Sequence, residues 1–166
     1  MKSSLASMFC LILSAEVFAG HHESKKESVS SIADIKAVVD LYMEAFEKGD
    51  PVLFGSVMAD DEEMVNYGTD LAERWVGKTD LMKSFREQIS AFDVETIDIS
   101  NQVVRVSRSG TTAWFSEIAD WNIRIGEDTT TIKDIRITGV LEKQLDQWRI
   151  VQFHTSAPIA GQIVDY

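Results

Sequence analysis

The sequence predicts an α+β domain: a cone-shaped, curved antiparallel sheet with about three N-terminal helices on its concave side, a cystatin-like roll. Two observations carry this expectation. Apolar residues recur at three- and four-residue intervals as far as Phe92, and at two-residue intervals from Val94 to Ser156. The second half also divides into four long alternating segments joined by short polar connections, as in an antiparallel meander. Strands of that length must twist and curl. Helices laid over the concave side then leave an open-mouthed hollow, a shape suited to a small molecule.

Ser30 or Ser31 is placed to cap a first helix reaching about Lys48, with Ile32, Ile35, Val38, Val39, Tyr42, Met43 and Phe46 as its buried stripe. Gly49-Asp50 ends it, and Pro51 opens a short second helix carrying Val52, Leu53, Phe54, Val57 and Met58. The run Asp60 to Glu63 reads as a solvated turn, because consecutive carboxylates cannot all face one ion. Met64 to Tyr67 and Arg74 to Val76 read as a short hairpin. A third helix follows from Thr79 to about Phe92, with Leu81, Met82, Phe85 and Ile89 on one face. Strands are expected near Val94–Ser107, Thr111–Ile125, Thr129–Lys143 and Trp148–Ser156. Their connections, at Arg108 to Gly110, Gly126 to Asp128 and Gln144 to Gln147, are hairpin-sized.

Residues 1–19 read as a signal peptide. Lys2 supplies the positive start, Leu5 to Ala15 the apolar run, and Val17-Phe18-Ala19 the cleavage motif, so cleavage is expected before Gly20. A periplasmic or secreted location is expected on that basis. The apolar run is too short to span a bilayer, and no stable membrane insertion is expected after cleavage. Cys10, the one cysteine of the chain, lies inside this leader, so the mature protein has neither disulfide nor cysteine nucleophile. Residues 20–30, with His21 and His22, read as a disordered start; 31–158 form the domain and 159–166 a tail. A net charge of −11 disfavours nucleic acid and anionic membranes as partners. No glycine-rich phosphate loop, HExxH, GxSxG or paired metal motif is present, so neither nucleotide nor metal cofactor is expected.

Candidate site residues come from the last two strands. Alternation puts Arg136 and Thr138 on one side, and Gln152, His154 and Ser156 on one side. If both sets face the hollow, a guanidinium fork suited to a carboxylate or enolate meets an imidazole and hydroxyls. The other reading of Arg136 is an ion pair with a carboxylate such as Glu117, or an exposed position on the convex face. On the strand Thr111–Ile125, Glu117 shares a side with Ala113, Phe115, Ala119 and Trp121, whereas Asp120 lies opposite. Whichever of the two faces the hollow, Glu117 or, with the register one residue off, Asp120, is a candidate for a buried proton-transfer carboxylate. Tyr67, Trp75 and Trp121 are candidate walls.

The chain resembles the nuclear transport factor 2-like superfamily, in its SnoaL-like branch, which also holds ketosteroid isomerases and scytalone dehydratases. The resemblance spans Ile32 to Pro158 and rests on Ala45-Phe46-Glu47-Lys48-Gly49-Asp50, on Trp75-Val76-Gly77-Lys78, and on the final hairpin. That hairpin is similar to the association domain of calcium/calmodulin-dependent kinase II. Arg136 matches its penultimate-strand arginine, and Trp148, His154 and Ser156 match its last strand, with Gln152 in place of a histidine. The resemblance implies a small-molecule pocket anchored by Arg136, with His154 and Glu117 handling protons and Thr138, Gln152 and Ser156 contacting ligand. It implies cofactor-free isomerisation, dehydration or cyclisation of a small, partly apolar, anionic substrate. The alternative is a binding or assembly module without turnover, a homodimer through the sheet.

Overall fold

The computed structural model describes residues 23–161. The leader, His21, His22 and the last five residues lie outside that range. Three helices and six strands succeed one another in chain order: α1 Glu23–Lys48, α2 Pro51–Val57, β1 Val65–Tyr67, β2 Arg74–Val76, α3 Gly77–Ala91, β3 Asp93–Val106, β4 Thr112–Ile125, β5 Asp128–Gln144 and β6 Gln147–Ser156. They form one sheet in the order β2-β1-β6-β5-β4-β3. The α+β expectation holds. Residues 23–30, expected to be unstructured, continue α1 backwards from Ser31.

The meander β3–β6 is antiparallel throughout, but β1 pairs with β6 in parallel. Only a short hairpin forces an antiparallel neighbour, and the chain between β1 and β6 is long enough to return in either sense. Turn chemistry closes the last hairpin: Leu145 and Asp146 both take positive φ between the paired Gln144 and Gln147, the backbone of a two-residue primed turn.

Local bonding sets the helix starts. Asp50 accepts from the amides of Val52 at 2.8 Å and Leu53 at 3.0 Å, with Pro51 at the first helical position. The acidic run has a capping role. Glu62 accepts from the Thr79 hydroxyl at 2.7 Å and the Thr79 amide at 3.2 Å, and so fastens the first turn of α3. Among the described residues no cluster of His, Cys, Asp and Glu is arranged to hold a metal, and no helix is long and apolar enough to cross a membrane.

The core lies between the helices and one face of the sheet. Phe54 and Phe85 stack at 4.0 Å, with Phe46 edge-on to Phe85 at 4.9 Å and to Trp121 at 5.0 Å. Gly139 leaves room for the Phe115 ring against β5, since a methyl there would collide with that ring and meet the Gln152 carbonyl at 2.8 Å.

Two irregularities decide which side chains face the helices. In β5, three steps from Ile132 to Ile135 lie opposite only two on β4, Trp121 to Ala119. Asp134 takes the strain with φ of 57°, and its amide donates to Asp120 Oδ1 at 2.8 Å. In β6, Leu141 and Val140 are adjacent, but their partners Ile150 and Gln152 skip Val151. Each bulge inverts the inside–outside phase of the residues beyond it.

Candidate functional site

Inversion at Val151 corrects the expected placement of the hairpin side chains. Without it, Trp148, Ile150, Gln152, His154 and Ser156 would share one face. With it, Trp148 and Ile150 are buried, Phe153 follows them inward, and Gln152, His154 and Ser156 turn to the outer face. Arg136 and Thr138 pair with Ser156 and His154 and share that outer face, while Ile135, Ile137 and Leu141 fill the interior. Arg136, Thr138 and His154 are exposed to solvent. Tyr67 joins them, its ring 5.8 Å from that of His154. The guanidinium and imidazole are therefore neighbours on the sheet, but not inside the hollow. Arg136 makes no ion pair with Glu117, which points the other way.

The hollow exists, with a volume of about 260 Å³, between the helices and the inner face of the sheet. Its walls are the rings of Phe46, Phe54, Phe85, Phe153, Trp75 and Trp121, so two of the three expected aromatic walls are in place. Ile132 and Ile135, brought to one side by the β5 bulge, close the sheet side. Gly68, Thr69 and Glu73 line it from the β1–β2 loop.

Polar groups inside are few. Tyr42 and Thr155 both line the hollow. Burial, and then the nearby Glu117 carboxylate, push the Tyr42 phenol far above its ordinary pKa; the Thr155 hydroxyl opposes this. Tyr42 is thus a proton-bearing donor at any neutral pH. The Trp121 indole N–H has no hydrogen-bond partner among the described residues.

Glu117 faces the helices, as its register with the buried Phe115 and Ala119 requires. Asp120 instead serves the bulge. Glu117 is 3% exposed and lies beneath α1, beside the hollow rather than in its lining. Gln102 Nε2 donates to Glu117 Oε2 at 3.0 Å and to Asp40 Oδ1 at 3.1 Å, while Glu117 Oε1 has no partner among the described residues. Burial raises the Glu117 pKa to about 7; the Gln102 bond lowers it, and the Asp40 charge adds to the rise.

Several lining residues were not foreseen, among them Tyr42, Thr155, Phe153 and Glu73. Tyr42 sat unremarked in the apolar stripe of the first helix, where a phenol among aliphatic residues is the available signal. Phe153 and Thr155 alternate with the residues first chosen, and only the bulge reveals them.

A family model described as a SnoaL-like domain matches residues 35–160, most of the chain. The chain belongs to the SnoaL-like family. Solved structures share the fold at low identity. A protein of Novosphingobium aromaticivorans, provisionally named a scytalone dehydratase, has a TM-score of 0.69 at 13% identity, covering 81% of this chain and 89% of that one. A ketosteroid isomerase-like protein of Erwinia carotovora atroseptica has a TM-score of 0.64 at 18% identity, covering 76% and 95%. A protein of Thiobacillus denitrificans, provisionally named a calcium/calmodulin-dependent kinase type II association domain, has a TM-score of 0.58 at 22% identity, covering 75% and 94%. No curated protein matches the chain in sequence.

Proposed function

We propose that this SnoaL-like protein is exported and binds a small, largely apolar, ring-bearing molecule in the hollow. The observation that carries the proposal is the aromatic cavity of about 260 Å³ with the Tyr42–Thr155 hydroxyl pair inside it. The anionic substrate expected from sequence rested on Arg136, whose guanidinium lies on the opposite face, so the negative charge is dropped. The enzymatic form of this function is cofactor-free acid–base chemistry, an isomerisation, dehydration or cyclisation. Tyr42 would then donate a hydrogen bond or proton to an oxygen of the bound molecule. Glu117, close enough to perturb Tyr42, is the carboxylate that exchanges a proton near neutrality. The names of the dehydratase and the isomerase-like protein sharing this fold support that form.

A plugged variant tests the site. Ile132 stands half-exposed at the cavity edge, and Ile132→Trp is expected to fill the opening without disturbing the core. Compounds identified by mass spectrometry in extracts of the wild-type protein should raise its Tm and leave that of Ile132→Trp unchanged. An equal rise in both would place binding elsewhere. Export rests on the layout of residues 1–19; the intact mass of protein recovered from the periplasm or medium should correspond to a chain starting at Gly20. Assembly through the sheet is the second reading. It is favoured by apolar side chains on the face away from the helices, where Trp114 is 47% and Val103 44% exposed.

A further inference from the structure

We infer that the cavity selects organic cations, small amines or quaternary ammonium compounds with a compact apolar body. This rests on reading the hollow as a ligand site and adds the charge of what it holds. No lysine, arginine or histidine contributes to the lining, so an anion entering it would lose its water and gain no counter-charge. The walls instead are built of aromatic rings, and the negative face of such a ring attracts a cation, most strongly in tryptophan. Trp75 and Trp121 supply two indoles to those walls.

A carboxylate stands beside this aromatic box. Glu73 is the acidic residue of the lining, half-buried, and forms no ion pair among the described residues. Its Oε2 accepts from the Asp70 amide at 2.9 Å and the Thr69 hydroxyl at 3.3 Å. Those bonds hold it in place without neutralising it, and Oε1 has no hydrogen-bond partner among the described residues. Gly68 explains how carboxylate and indole come together. A methyl at Gly68 would collide with the Glu73 carboxylate and sit 2.7 Å from the edge of the Trp75 ring, so only a residue without a side chain leaves both groups converging there. A cation in the hollow beside this wall meets the carboxylate and the aromatic lining together. A neutral molecule of the same shape gains the same apolar contact and nothing from Glu73. The overall charge of −11 adds attraction for cations at a distance.

The test compares three probes by quenching of intrinsic tryptophan fluorescence: phenyltrimethylammonium, its uncharged shape-mate tert-butylbenzene, and the anion phenylacetate. The ammonium compound is expected to bind at least tenfold tighter than tert-butylbenzene, with phenylacetate weakest. In Glu73→Gln, the advantage of the cation should fall about tenfold while tert-butylbenzene binds as before, which also shows that the variant is folded. Equal affinity of the charged and uncharged probes, or a cation advantage unmoved by Glu73→Gln, overturns the charge selection and leaves the cavity as a neutral site. Failure of all three probes to bind at millimolar concentration overturns the ligand-site reading itself, and the cation inference with it.

Discussion

The two faces of the final hairpin are written by alternate positions of the same two strands and do opposite work. Its outer face carries Arg136, Thr138, Gln152, His154 and Ser156, the residue types most often associated with catalysis. Its inner face carries Ile135, Ile137, Leu141, Phe153 and Thr155, and there the cavity lies. The contrast has a physical cause. Charged side chains keep their water on the outer face at no cost, whereas each one turned inward needs a partner. A polar row along a strand therefore marks the solvent side unless something polar awaits it within. The hollow uses few polar groups, chiefly the Tyr42 and Thr155 hydroxyls and Glu73, which its own loop holds, while Glu117 lies beside it, bonded to Gln102.

The most disruptive way to break this contrast is to put a charge on the inner row. Phe153 is buried and no cation contributes to the lining, so Phe153→Asp leaves an unpaired carboxylate in the core. Loss of more than about 4 kcal/mol, or of cooperative unfolding altogether, is expected in urea titrations. A loss within about 1 kcal/mol would show that Phe153 does not belong to the inner face. Deleting Val151 should cost less, because Ile150 and Gln152 then follow one another opposite Leu141 and Val140 and both rows keep their faces.

A smaller effect separates the buried carboxylate from the exposed ones. Glu117 has a pKa near 7 in the folded protein against 4.5 for the free side chain. Between those values the folded state holds a proton that the unfolded state has lost, so stability should fall as pH rises from about 4.5 to about 7 and level off above. The drop attributable to this group is up to about 3 kcal/mol. Glu117→Gln, which keeps an acceptor for Gln102, should abolish that part of the slope and be the more stable protein at pH 8. The measurement is chemical denaturation across pH 4.5 to 8; parallel curves for wild type and variant would refute the burial assignment.

The smallest effects are expected outside. Arg136→Ala and His154→Ala should each change stability by no more than about 0.5 kcal/mol and leave the affinity of cavity ligands unchanged. A tenfold loss of ligand affinity in Arg136→Ala would return the outer face to the site. A shift in sedimentation with ligand affinity intact would assign that face to assembly between copies of the chain.

Much of this architecture was legible from residue order. Apart from the start of α1, the periods of three to four and then two marked the helices and strands to within a few residues, because each period places apolar atoms on one side of its own backbone. Alternation put Glu117 on the same side as Phe115 and Trp121, and the turn at Gln144 to Gln147 was readable from its polar residues. The pairing of Asp120 with the Asp134 amide, and the skipped Val151, were not readable. A bulge is a single unpaired residue, chosen by the fit of neighbouring strands rather than by its own type.

By itself, the sequence determined an α+β roll with an aromatic interior, since burial of apolar surface follows from patterns within each element. Tertiary structure alone decided which rows of the hairpin face inward. That outcome depends on the register between strands, and a shift of one residue exchanges the two faces while leaving the pattern of each strand unchanged.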